Sequence, residues 1–146
     1  MQVHGLGHVV LKVRSLERSV AFYRDVLGLK QVGGYSGKMS FFSILDNHHD
    51  LALIQVGEAA PDAPDDAPGL AHVAFKIGDD LETLREAKTH LEAHGVEIAR
   101  TADHIVTKSI YFHDPDGNQL EVFVDADPAI WHENPGLVAT REPLSL

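Results

Sequence analysis

The sequence GLGHVVLKV at residues 5–13 is closely repeated as GLAHVAFKI at residues 69–77. Each copy begins with Gly-Leu, has a histidine at its fourth position and then alternates in the manner of a β-strand. An internal repeat places equivalent residues at equivalent positions of two similar folding units. We therefore expect His8 and His72 to occupy the same place in two tandem modules.

A helix is predicted after each copy of the repeat. Ser15 and Asp80 are typical helix N-caps, and the apolar residues that follow them recur at helical spacing. Gly28 and Gly95 are expected to end the two helices. Further strand-like runs come after the helices: MSFFSIL (39–45), DLALIQV (50–56), GVEIA (95–99), KSIYFH (108–113) and QLEVFVD (119–125). The predicted fold class is α+β, with two tandem β-α-β-β-β modules that form a shared, incompletely closed barrel or cup.

The predicted domain organisation has four parts. They are a first module at 1–56, a linker at 57–68, a second module at 69–126 and a C-terminal tail at 127–146. The linker, GEAAPDAPDDAP, has the composition of a solvated connection. The tail contains the only tryptophan and has no periodic pattern, so we expect it to be irregular.

Composition excludes several classes of function. The chain has no cysteine, which excludes disulfides, thiolate nucleophiles and cysteine-type zinc sites. Its formal net charge of −10 argues against binding to nucleic acid or to an anionic membrane. No apolar run approaches the roughly 20 residues of a membrane helix, and no signal-peptide pattern is present, so a cytoplasmic location is expected. With ten histidines and no cysteine, a bound metal would be held by imidazole and carboxylate.

One carboxylate lies on an unexpected face of the last predicted strand. In QLEVFVD the even-numbered residues form an aliphatic, core-like face, whereas Glu121 shares the other face with Phe123. A carboxylate beside a phenyl ring indicates a cavity. If His8 and His72 line the same cavity, the three side chains form a 2-His-1-carboxylate set. Such sets are typical of non-haem Fe(II) oxygenases, although zinc hydrolases use the same ligand types.

The repeat, together with SVAFYRDVLGL (19–29) and DPDGNQLEVF (114–123), resembles the vicinal oxygen chelate superfamily. That superfamily includes glyoxalase I, bleomycin-resistance proteins and the extradiol catechol dioxygenases. In further detail the chain is most similar to the type I extradiol dioxygenases. The resemblance implies that His8, His72 and Glu121 bind Fe(II), with Mn(II) as the alternative metal.

The same resemblance implies three catalytic residues. Tyr111 stands ten residues before Glu121, as the family's tyrosine does. His49 lies in HHDLAL (48–53), and His104 lies on the loop before the strand of Tyr111. In the family's arrangement, Tyr111 and His104 hydrogen-bond a substrate oxygen. His49 lies on the O2 side and donates a proton during O–O cleavage.

The expected function is therefore that of an extradiol ring-cleaving dioxygenase. Its expected partners are a catechol, O2 and further copies of the same chain in a homodimer or higher homo-oligomer. No nucleic acid or membrane partner is expected.

Two alternatives of the same fold remain open. The first is a glyoxalase-like isomerase or epimerase, which uses four metal ligands. Alignment of Leu120-Glu121-Val122 with Leu51-Ala52-Leu53 places Ala52 where the fourth ligand should be, and alanine cannot bind a metal. The second is a metal-free binding protein of the bleomycin-resistance type. Such a protein has no need for two histidines and a glutamate at the three ligand positions.

Overall fold

The computed structural model describes residues 1–64 and 66–146. It divides into two compact units, Met1–Asp66 and Ala67–Leu146, and this boundary falls within the stretch predicted as a linker. Asp65 of that linker lies outside the described residues. The predicted α+β class and the two tandem β-α-β-β-β modules are confirmed. In the described part of the chain, no helix is both long and apolar enough to cross a membrane.

The first unit contains one four-stranded mixed sheet and one helix. The elements are β1 (Val9–Val13), α1 (Leu16–Ala21) with a π-helical turn (Phe22–Val26), β2 (Lys30–Tyr35), β3 (Met39–Ser43) and β4 (Leu51–Gln55). The strand order is β1-β4-β3-β2, in which β1 is parallel to β4 and the other neighbours are antiparallel. The buried residues of the helix and sheet include Val13, Tyr23, Phe42 and Leu53.

Two features of the first unit were not predicted. Strand β2 is absent from the predicted runs because its KQVGGY sequence has two adjacent glycines and all six residues are exposed at the sheet edge. The predicted helix begins after Ser15 and ends before Gly28, which has a φ of +72°. It widens into a π-helical turn after Ala21, where the Leu27 N–H donates to the Phe22 carbonyl.

The second unit repeats the topology of the first. The elements are β5 (Val73–Gly78), α2 (Leu81–Ala93), β6 (Ile98–Asp103), β7 (Thr107–His113), β8 (Gln119–Asp125), α3 (Pro128–Glu133) and a 3-10 turn (Pro135–Ala139). The sheet order is β5-β8-β7-β6, with a parallel β5–β8 pair. Asp80 caps α2 by accepting hydrogen bonds from Thr83 N–H (2.9 Å) and the Thr83 hydroxyl (2.8 Å). Leu84 and Leu91 are buried on the side of α2 that faces the sheet.

The expectation of an irregular tail is wrong for part of its length. Asp127 accepts a hydrogen bond from Ala129 N–H (2.9 Å), and Pro128 stands in the first turn of α3. An Asp-Pro pair at this position is a helix-start signal. Beyond the 3-10 turn, Glu142 forms an antiparallel bridge with Asp103 on β6.

The turn between β7 and β8 is built around a buried carboxylate. Asp114 is 5% exposed. One of its oxygens accepts from the backbone N–H of Asp116 (2.8 Å) and of Asn118 (2.9 Å), and the other accepts from the Asn118 amide (2.8 Å). Gly117 completes the turn with a φ of +87°, a conformation that favours glycine. The turn thereby fixes the register in which β8 returns along β7.

We predict that Asp114→Ala lowers the free energy of unfolding of the second unit by about 2 kcal/mol, since hydrogen bonds to a charged group contribute about 1.5–3 kcal/mol. Asp114→Asn keeps one carbonyl acceptor and should cost less. The measurement is urea unfolding followed by circular dichroism and Trp131 fluorescence, with exposed His113→Ala as the control. A loss no larger than that of the control would contradict the assignment.

Candidate functional site

His72 and Glu121 lie side by side in the second unit. His72 immediately precedes β5, and parallel pairing of β5 with β8 aligns Ala74 with Glu121. The His72 Nε2 and Glu121 Oε2 atoms are 3.0 Å apart. Glu121 is only 6% exposed, whereas the His72 side chain is 36% exposed. The pairing of β5 with β8 therefore places one imidazole nitrogen and one carboxylate oxygen side by side.

This donor pair fits a divalent metal of the kind bound by imidazole and carboxylate. A buried carboxylate whose ion partner is a half-exposed histidine is costly unless a cation compensates it. Among the residues that the structure describes, no His, Asp and Glu side chains form a group of three placed to hold a metal. His8 belongs to the first unit, whereas His72 and Glu121 belong to the second, so the three-ligand set stays a prediction.

Tyr111 lies on the strand beside Glu121 and is 3% exposed. The two residues are direct cross-strand partners, and the Tyr111 ring stands edge-on to His72 with the ring centroids 5.7 Å apart. Burial raises the pKa of the Tyr111 phenol, and the negative charge of Glu121 raises it further. The charge of Arg100 opposes this rise. The phenol therefore keeps its proton and acts as a hydrogen-bond donor.

His104 contacts Tyr111 through one ring nitrogen and the tail through the other. Its Nε2 is 3.0 Å from the Tyr111 hydroxyl, and its Nδ1 is 2.7 Å from the Thr140 carbonyl oxygen. A carbonyl oxygen only accepts, so Nδ1 must carry a proton. In the neutral ring, Nε2 is then an acceptor for the Tyr111 hydroxyl.

A tight turn holds the backbone of His104. The Val106 N–H donates to the His104 carbonyl (2.8 Å), and Ile105 between them has a φ of +66°. A β-branched residue rarely adopts this conformation, because its side chain meets the backbone. The strained turn fixes where the His104 ring emerges from the loop between β6 and β7.

Arg100 lies beside Tyr111 and was not predicted as a site residue. Its guanidinium carbon lies 3.4 Å from the centroid of the Tyr111 ring, in a cation–π contact. The Nη1 atom of Arg100 is buried and has no hydrogen-bond partner in the structure. Pairing of β6 with β7 places Arg100 directly opposite Tyr111, whereas the strand predicted at 95–99 ends before Arg100.

In the first unit, His49 packs against His8 with the ring centroids 4.4 Å apart. It also contacts the edge of Phe41, and its Nδ1 is 2.7 Å from the Nδ1 of His48. Desolvation lowers the pKa of His49, and the charges of His8 and His48 lower it further, while that of Asp50 opposes them. The structure thus brings two predicted residues, His8 and His49, together. The six remaining histidines are exposed: His4, His48, His90, His94, His113 and His132.

The strand registers bear out the alignment of Ala52 with Glu121. In the first unit the parallel β1–β4 pair matches Val10 with Ala52. In the second unit the equivalent β5–β8 pair matches Ala74 with Glu121. Ala52 is fully buried and carries no donor atom. The first unit thus lacks a carboxylate at the position that would supply a fourth ligand.

Comparison with known proteins identifies a family. The pattern of the Glyoxalase/Bleomycin resistance protein/Dioxygenase superfamily matches residues 5–122. The chain is 31% identical over 130 residues to the catechol-2,3-dioxygenase of Bacillus subtilis, covering 88% of this chain but only 44% of that protein. It is 34% identical over 125 residues to the metallothiol transferase FosB of Lysinibacillus sphaericus, covering 83% of this chain and 82% of that protein.

A solved structure agrees with the fold. The glyoxalase/dioxygenase from Nostoc punctiforme superposes with a TM-score of 0.69 at 25% identity, covering 84% of this chain and 91% of that one.

The burial of Glu121 generates a prediction about stability. Unlike Asp114, this carboxylate has no set of backbone donors around it. Glu121→Gln removes a buried charge at nearly constant volume, so the free energy of unfolding of the metal-free protein should stay unchanged or rise by about 1 kcal/mol. Urea unfolding measures it. A loss of unfolding free energy as large as that predicted for Asp114→Ala would show that Glu121 contributes to folding and not to metal binding.

Proposed function

Because the chain belongs to the Glyoxalase/Bleomycin resistance protein/Dioxygenase superfamily, we propose that it is an extradiol dioxygenase that cleaves the ring of a catechol with O2. The observation that carries this proposal is the His72–Glu121 pair with Tyr111 and His104 hydrogen-bonded beside it. Similarity to a catechol-2,3-dioxygenase supports it. Since the chain spans less than half of that relative, the substrate and activity are proposed for this chain on its own residues.

The proposed metal ligands are His8, His72 and Glu121. Two neutral imidazoles and one carboxylate suit Fe(II) and leave several coordination positions open. The same ligand types also fit Mn(II). When bound, the metal would supply a Lewis-acidic centre at which the catechol oxygens and O2 come within reacting distance.

The proton chemistry is assigned to His104 and Tyr111. Binding of a catechol near neutral pH requires a hydroxyl proton to leave, and imidazole has a suitable pKa for receiving it. In the tautomer that Thr140 selects, the Nε2 lone pair of His104 accepts from the Tyr111 hydroxyl. Tyr111 lies between this nitrogen and the His72–Glu121 pair, so its hydroxyl can pass a proton to Nε2 while it takes one from the catechol.

His49 is assigned the later proton transfer, on the O2 side. A histidine whose pKa is lowered gives up its proton readily once it is protonated, which suits a general acid. Its contact with His8 places it next to a proposed metal ligand.

A second candidate is a metal-dependent transferase that adds a thiol to a small molecule. The observation that favours it is the 34% identity over 125 residues to the FosB relative. An isomerase with four protein ligands is disfavoured by Ala52.

The test of the proposed function uses the full chain, purified without oxygen and loaded with Fe(II). A panel of catechols is supplied while O2 uptake and the absorbance of a yellow ring-opened product are followed. We expect one O2 consumed per catechol cleaved, with no added thiol. Turnover that needs a thiol and no O2 would replace this proposal with the transferase, and the absence of product from every catechol would reject it.

The metal assignment predicts that His72→Ala and His8→Ala each weaken Fe(II) binding by on the order of 100-fold or more, because each removes a ligand. The fold should persist, since both side chains lie outside the buried core. Metal content after desalting measures the effect, and His113→Ala is the matched control. Stoichiometric iron in either ligand variant would remove that residue from the set.

For His49 we predict a kinetic defect without loss of metal. His49→Ala should lower kcat and kcat/KM together by roughly 100-fold, as loss of a general acid does. His49→Gln should lose less, because its amide still donates a hydrogen bond.

Iron content and anaerobic catechol affinity should stay near those of wild type in both His49 variants. His48→Ala removes the neighbouring exposed ring and serves as the control. Full turnover in His49→Ala would make this histidine a bystander, and loss of iron would make it a ligand.

A further inference from the structure

The end of the C-terminal tail lies along the outer edge of β6. The Asp103 N–H donates to the Glu142 carbonyl (2.9 Å), and the Glu142 N–H donates to the Asp103 carbonyl (2.8 Å). The Thr101 hydroxyl donates to the Leu144 carbonyl (2.6 Å). We call residues 140–144 the strap. Its backbone is anchored to β6 at two points, through Glu142 and Leu144.

The first residue of the strap reaches the candidate site. The Thr140 carbonyl oxygen accepts from His104 Nδ1 at 2.7 Å. In a histidine ring, the bond made by one nitrogen decides whether the other is a donor or an acceptor. This contact therefore leaves Nε2 as the nitrogen that accepts from the Tyr111 hydroxyl.

We propose that the strap is a positioning element that fixes the tautomer of His104. The strained turn at Ile105 fixes the backbone of His104, but it leaves the protonation of the ring undetermined. The hydrogen bond to the Thr140 carbonyl keeps the ring proton on Nδ1, and the Glu142 bridge holds that carbonyl in place. The catalytic consequence of this role rests on the proposed function, whereas the tautomer itself does not.

A matched pair of substitutions at position 142 isolates the strap. Glu142→Pro removes the N–H that donates to Asp103 and places a ring carbon against that carbonyl, so the strap should detach. Glu142→Ala keeps the N–H and removes only an exposed side chain. Both variants leave every proposed ligand and catalytic side chain intact.

The direct readout is the pair of ring ¹⁵N chemical shifts of His104 in the full-length, metal-free protein, assigned with His104→Asn. We expect the wild type and Glu142→Ala to carry the proton on Nδ1. Glu142→Pro should shift the population toward the Nε2–H form. A wild-type ring protonated on Nε2, or an unchanged tautomer in Glu142→Pro, would overturn the proposal.

Thr101→Val provides a second variant if Glu142→Pro does not fold, as judged by circular dichroism. It removes the hydroxyl that holds Leu144 and should move the His104 shifts in the same direction by a smaller amount. No movement in a folded Thr101→Val protein would count against the strap.

Measurement of catechol cleavage provides a separate test. If catechols are cleaved, Glu142→Pro should lower kcat by about tenfold or more at unchanged iron content, since acid–base catalysis depends on the correct ring nitrogen. Equal kcat in Glu142→Pro and Glu142→Ala would overturn the catalytic consequence. If no catechol is cleaved, the proposed function fails, and the ¹⁵N shifts alone decide whether the strap sets the tautomer.

Discussion

The register of three neighbouring strands in the second unit decides the chemistry of the candidate site. Pairing of β5 with β8 aligns Ala74 with Glu121, and pairing of β8 with β7 aligns Glu121 with Tyr111. A slip of one residue would turn every side chain of β8 to the other face. Leu120 would then take the place of Glu121 beside His72. The buried Asp114 in the β7–β8 turn maintains this register, which is why a residue remote from the chemistry matters to it.

The two units have the same strand topology but carry different side chains along one cross-strand row. In the second unit the row on β6, β7 and β8 is Arg100, Tyr111 and Glu121. In the first unit the equivalent row on β2, β3 and β4 is Gly33, Phe41 and Ala52. One half thus keeps a cation, a phenol and a carboxylate, and the other keeps none of them. The first unit instead packs His8 against His49, with the ring centroids 4.4 Å apart.

The sequence predicted the elements whose signals are local. The repeat placed His8 and His72 immediately before equivalent strands, and the caps at Ser15 and Asp80 began both helices. The β8 bounds agree with the predicted run, because its alternation is regular. Strand β2 was not predicted, because an exposed edge strand with two glycines shows no alternation of apolar and polar residues.

The contacts made by Arg100 and Thr140 could not be predicted in the same way. The position of Arg100 depends on the β6–β7 register, which contains a bulge. The Thr140 contact uses a backbone carbonyl, which has no residue-type signal, and it depends on how the tail returns to β6. The assignment of metal ligands and of His49, His104 and Tyr111 to catalysis stays a prediction, because it concerns a metal and a substrate.

The central proposal is that His8, His72 and Glu121 bind a single metal. Anomalous diffraction at the iron edge from crystals grown without oxygen and loaded with Fe(II) tests this most directly. We expect one iron per chain, bound by His8, His72 and Glu121, with no fourth protein ligand. Iron that contacts a fourth side chain, or that binds without His8, would contradict it.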